Sequence, residues 1–125
     1  MSAELERLYE ERCSITTDIN EHMPTLRALA SECFRITELG TRAGNSTVAF
    51  LAGLRSTYLG DSLYKGPPYG LMCVDVARYP HVDMLARLAP PVEFIFHQAD
   101  SLKVEIAETD LLFIDTLHTG RHLDA

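Results

Sequence analysis

The stretch Glu38-Leu39-Gly40-Thr41-Arg42-Ala43-Gly44-Asn45-Ser46-Thr47 holds the residue types and spacing that most narrowly define a chemistry. Its two glycines lie four positions apart, between an apolar run from Phe34 to Leu39 and a helical pattern that resumes at Ser46. Glycine lets a backbone turn sharply and approach a ligand closely, and a helix start presents unpaired N–H groups. Folds that bind a pyrophosphate use GxGxxG, and P-loops use GxxxxGK[ST]. Neither occurs here, and no lysine follows Gly44. Glu38, ahead of the first glycine, would repel a phosphate but could pair with a cationic amino group. The same segment would also serve as an ordinary strand–helix turn, with Ser46 as a helix N-cap that touches no ligand.

Three further acidic residues and a histidine fall where strands end. Asp75 closes the run Leu71 to Asp75, where Rossmann-like folds use a carboxylate to accept the ribose hydroxyls. About 35 residues separate it from Gly40, where roughly 20 is common, and a Pro/Gly-rich stretch over 59–70 accounts for the excess. Asp100 follows a third run and has a rival role as the N-cap of a segment starting near Leu102. Asp115 and His118 lie beyond the carboxyl end of a fourth run, where α/β folds place reacting groups. A histidine titrates near neutrality and suits a general base. His118 and His122 would share a helix face and form a metal pair, although that spacing is common by chance. His22, His81 and His97 read as surface or element-end residues.

The elements that must position these groups alternate. Leu5, Leu8 and Tyr9 mark one face of a short first helix. Thr16-Thr17-Asp18 offers N-cap candidates for a second helix from about Glu21 to Glu32, with Pro24 in its first turn and a stripe of Leu26, Leu29, Ala30 and Cys33. Strands are expected over Phe34 to Leu39, Leu71 to Asp75, Val92 to His97 and Leu111 to Asp115. Between them, helical patterns run from Ser46 through Leu54, from Pro80 through Leu88 to the stop at Pro90-Pro91, and from Leu102 to Glu108. Strands alternating with helices imply parallel pairing through right-handed crossovers, a doubly wound α/β fold. The apolar runs of the second and fourth strands suit a sheet covered on both faces.

Composition narrows the partners. A net charge of −7 argues against a large phosphate-neutralising surface, and therefore against nucleic acid as the main partner. No apolar run approaches the roughly 20 residues of a membrane span. The acidic, helical amino terminus is unlike a secretory signal, so the chain reads as cytoplasmic. Cys13, Cys33 and Cys73 form no CxxC pair, and Cys33 and Cys73, in apolar runs, read as buried free thiols. One domain spanning 1–125 is expected, with N-terminal helices over 1–33 and a binding core over 34–118.

At Glu38-x-Gly40-x-x-x-Gly44-x-Ser46-Thr47 the sequence resembles the class I S-adenosylmethionine (SAM) methyltransferases, whose first motif is an acidic residue followed by GxxxG. Within them it looks most like the macrocin O-methyltransferase and cephalosporin-hydroxylase-like branch. That branch often carries ELGxxxGxST and, later, an apolar strand ending in Ile-Asp with a histidine nearby, as Phe113-Ile114-Asp115-Thr116-Leu117-His118 does. The resemblance covers roughly Asp18 to His118. It implies a Rossmann-like parallel sheet in the order 3-2-1-4 and SAM as cofactor. Gly40 and Gly44 would then pass against the methionine moiety, and Glu38 would meet its amino group directly or through water. Ser46 would cap the helix, Asp75 would hold the ribose, and Asp100 would lie beside the adenine amino group. Asp115 would bind a divalent metal such as magnesium that orients a substrate hydroxyl, with His118 as base.

The family fold has seven strands, and the sequence supplies four, which implies a chain truncated after the fourth. Two expectations follow. The fourth strand becomes an apolar edge that a homodimer or larger homo-oligomer would cover. The acceptor side of the site would be completed by another subunit, giving an O-directed methyltransferase acting on a small-molecule acceptor. The alternatives are a module that holds SAM or its demethylated product without catalysis, and a methyltransferase-like remnant that acts through assembly with a partner chain.

Overall fold

The computed structural model describes residues 2–15, 19–41, 44–60, 69–100, 103–106 and 108–114. Helix α1 (Ser2–Ser14) leads through a 3-10 turn (Asn20–His22) into α2 (Met23–Ala30). There follow β1 (Arg35–Leu39), α3 (Asn45–Gly60), β2 (Gly70–Asp75), α4 (His81–Leu88), β3 (Glu93–Gln98) and β4 (Leu111–Ile114). The four strands form one parallel sheet in the order β3-β2-β1-β4, a Rossmann-like α/β arrangement with flanking helices. No helix among the described residues is long and apolar enough to cross a membrane.

Successive right-handed crossovers in one direction place α3 and α4 on the same face of the sheet. That face carries Ile36, Glu38, Leu71, Cys73, Phe94, Phe96, Leu111 and Phe113, all part of the core or packed against it except Glu38. Helix α3 is apolar almost all round between Val48 and Leu54, because the sheet covers one side of it and α1 and α2 the other. Burying Phe50, Leu51 and Leu54 contributes about 1.5–3 kcal/mol each. Gly53 admits α2: a Cβ there would stand 2.4 Å from the Arg27 carbonyl oxygen and 2.7 Å from the Ala30 Cβ.

The opposite face is organised in rows. At its N-terminal rim Arg35, Gly70 and Glu93 are neighbours in register, and the Arg35 guanidinium lies over Gly70 to pair with Glu93 at 2.9 Å. Asp110 accepts the Phe34 and Arg35 N–H groups there at 2.7 and 3.0 Å, fixing the start of β4 to β1. Beyond that rim the rows turn mostly apolar, with Thr37 and His97 as the polar members. Thr37, Leu39 and Val74 are buried at the centre, while Ile95, Leu112 and Ile114 are exposed at the flanks.

Several expectations need correction. Residues 103–106 and 108 form no helix: their apolar residues alternate rather than recur at helical spacing, Ile106 stays exposed, and the Lys103 N–H closes a turn onto the Asp100 carbonyl. Helix α3 instead continues to Gly60, where Tyr58 packs edge-on against Tyr69. In α2 the buried stripe is Met23, Leu26 and Ala30. Leu29 is exposed and Cys33 is only half-buried, because the close approach at Gly53 sets which face meets α3. The N-cap candidates Thr16, Thr17 and Asp18 lie outside the described residues.

Candidate functional site

The carboxyl ends of β1, β2 and β3 converge on the glycine turn. Gly40 (φ 91°) leaves β1 with its N–H on the Val74 carbonyl at 2.7 Å, and Gly44 (φ 87°) closes the turn onto the Thr41 carbonyl at 2.8 Å. Both conformations lie in the left-handed region that glycine occupies without a Cβ penalty. The Gly44 carbonyl then accepts the Val48 N–H and starts α3.

Asp75 ends β2 beside this turn. One carboxylate oxygen accepts both the Thr41 N–H at 2.8 Å and its hydroxyl at 3.2 Å, and the other accepts the Ala77 N–H at 3.2 Å. The Asp75 carbonyl accepts the Ala99 N–H at 2.8 Å, which brings the exposed Asp100 to the same rim. Asp100 precedes a turn among the described residues rather than a helix.

Glu38 points the other way, under α3. It is fully buried, and its carboxylate takes the hydroxyls of Ser46 and Thr47 and, at 3.4 Å, the Cys73 thiol. Burial and the neighbouring Glu38 push the Cys73 thiol well above its usual range. Ser46 therefore spends its hydroxyl on Glu38 and sits inside α3, after Asn45, rather than capping it. Asn45 in turn accepts a hydrogen bond from Arg12 of α1 at 2.7 Å.

The structure thus gathers Glu38, Gly40, Gly44, Ser46, Asp75 and Asp100 around one sheet end. Asp115, His118 and His122 lie outside the described residues, and with them the expected metal and base. Among the described residues no group of three or more His, Cys, Asp or Glu side chains is placed to hold a metal ion. Sequence reasoning missed Thr41, Thr47, Arg12 and His81. His81 does begin α4, an element end as expected, but its ring packs on Gly44, and nothing in the linear pattern signals that contact.

No protein-family model matches the chain, and no curated protein matches it. Among solved structures, the chain is similar to the SAH-bound methyltransferase PaMTH1 of Podospora anserina, at 21% identity and a TM-score of 0.46. The match covers 92% of this chain and 49% of that one, so the chain spans about half the length of that protein. The fold assignment rests on the sheet itself, four parallel strands in the order β3-β2-β1-β4.

Proposed function

We propose that the chain binds SAM on the Gly40–Gly44 turn and acts as a methyltransferase on an oxygen nucleophile of a small-molecule acceptor. The observation that carries this reading is the Asp75 carboxylate held against Thr41 of the glycine turn. An acid at that place in a Rossmann-like fold accepts ribose hydroxyls. The Asp75 carboxylate is only partly buried at the rim of the glycine turn, which leaves it within reach of a ligand seated there.

In this reading Gly40 and Gly44 carry the methionine end of the cofactor, and Asp100 reaches the adenine amino group. Glu38, enclosed under α3, acts on the cofactor's amino end by fixing Ser46 and Thr47. The bound cofactor supplies an electrophilic methyl group. His118 takes the proton of the acceptor hydroxyl, and Asp115 would hold a divalent metal such as magnesium that orients that hydroxyl. A second copy covers β4 and completes the acceptor side; the exposure of Leu112 and Ile114 supports that part.

The test is calorimetric titration of the purified chain with SAM and with S-adenosylhomocysteine. Saturable binding that disappears in Asp75→Ala is expected. A folded chain that binds neither compound would sink the reading and move attention to assembly.

A further inference from the structure

His81 sits in contact with the glycine turn without a part in the reading above. A Cβ built on Gly44 would stand 2.6 Å from its Cδ2 and 2.7 Å from its Nε2, so the imidazole fits only because residue 44 has no side chain. Tyr79 stacks with the ring, with centroids 5.7 Å apart and planes inclined by 15°. The Nε2 atom is buried and has no hydrogen-bond partner among the described residues. A buried polar nitrogen in that state is costly unless something completes it.

Among the described residues, the charged groups acting on the ring are Arg12 from α1 and Asp75 from β2. Burial, then Arg12, lower the imidazole pKa against the opposing pull of Asp75, which keeps the ring neutral near pH 7. The described residues of the turn, Gly40, Thr41 and Gly44, add no titratable side chain.

We propose that His81 is a positioning and ligand-contacting residue of the cofactor site: its ring braces the Gly44 turn, and its Nε2 hydrogen-bonds the amino-acid end of the cofactor held there. This rests on the reading that the turn holds SAM. It reassigns the missing Cβ of Gly44, whose place His81 fills. It also makes cofactor affinity depend on the neutral ring, because protonation adds a second cation beside Arg12 and leaves Nε2 only as a donor.

The experiment is calorimetric titration with S-adenosylhomocysteine from pH 8 to pH 5.5 on the wild type, His81→Phe and His81→Gln. The wild type is expected to lose affinity in acid. His81→Phe keeps a ring against Gly44 and is expected to bind about tenfold more weakly, with a flat profile over the same range. His81→Gln keeps a polar nitrogen that does not titrate, and serves if the phenylalanine variant does not fold. It is expected to bind without the acid loss. Variants that bind like the wild type with the same acid loss overturn the proposal and leave the cofactor reading standing. A wild type that does not bind at all overturns both. Thermal unfolding of Gly44→Ala reads the packing separately: the drop should be smaller in a His81→Ala background, and an equal drop in both overturns the bracing role.

Discussion

Thr41 presents its backbone N–H and its hydroxyl to the same oxygen of Asp75, at 2.8 and 3.2 Å, so the end of β2 and the exit of β1 are held as one unit. The two hydrogen bonds can be separated by mutation. Thr41→Val removes only the hydroxyl and is expected to cost about 1 kcal/mol. Asp75→Ala leaves the Thr41 N–H without its partner and is expected to cost about 2–3 kcal/mol, with loss of S-adenosylhomocysteine binding. Urea unfolding checks the first pair of values and calorimetry the last.

Glu38 gives a second prediction. Its carboxylate satisfies two hydroxyls in a fully buried place, so Glu38→Ala strands both and opens a cavity. The expected cost is about 3 kcal/mol or more, against about 1 kcal/mol for Ser46→Ala alone. Adding Ser46→Ala to Glu38→Ala should cost little further, since the partner has already gone. Additive losses in denaturant unfolding would contradict the shared network.

Gly53 sets two opposing effects against each other. Alanine gains about 1 kcal/mol of helix propensity over glycine. Its Cβ, however, would stand 2.4 Å from the Arg27 carbonyl oxygen, backbone that cannot swing aside. Overpacking of this kind costs about 1–3 kcal/mol, so Gly53→Ala is expected to lower the melting temperature in spite of propensity. A raised melting temperature would mean that α2 and α3 separate more easily than their contact implies.

Leu112 and Ile114 test the assembly. The pair Leu112→Lys and Ile114→Glu places charge on exposed positions of β4 and should leave the fold intact by circular dichroism. Light scattering is expected to report an oligomer for the wild type and a monomer for the double variant. A wild-type monomer at low micromolar concentration removes the second copy from the proposal.

The sheet was legible in the sequence because its strands are short apolar runs bounded by glycine, proline and charge, and their alternation with helical patterns leaves few topologies. Gly40, Gly44 and Asp75 were legible for a related reason: each sits at a strand end where a turn or a carboxylate has a specific use. Side-chain partnerships were less so. Glu38 alternates outward or inward only once the strand has a helix over it, and its pairing with Ser46 and Thr47 depends on how α3 is seated. His81 meets Gly44 across separate crossovers, which no local period encodes. The expected helix is absent at 103–106 and 108, where Ile106 stays exposed, and propensity without burial rarely holds so short a helix.

The Arg35–Glu93 pair that passes over Gly70 adds little stability at its exposure. Its consequence is one of boundary. Any residue larger than glycine at position 70 would push the guanidinium off the sheet, so the clasp exists by leave of one missing methyl group. With Asp110 it lays a charged kerb along the N-terminal edge of the sheet. The exposed Ile95, Leu112 and Ile114 all lie on the far side of that kerb, in the rows that lead to the glycine turn and Asp75.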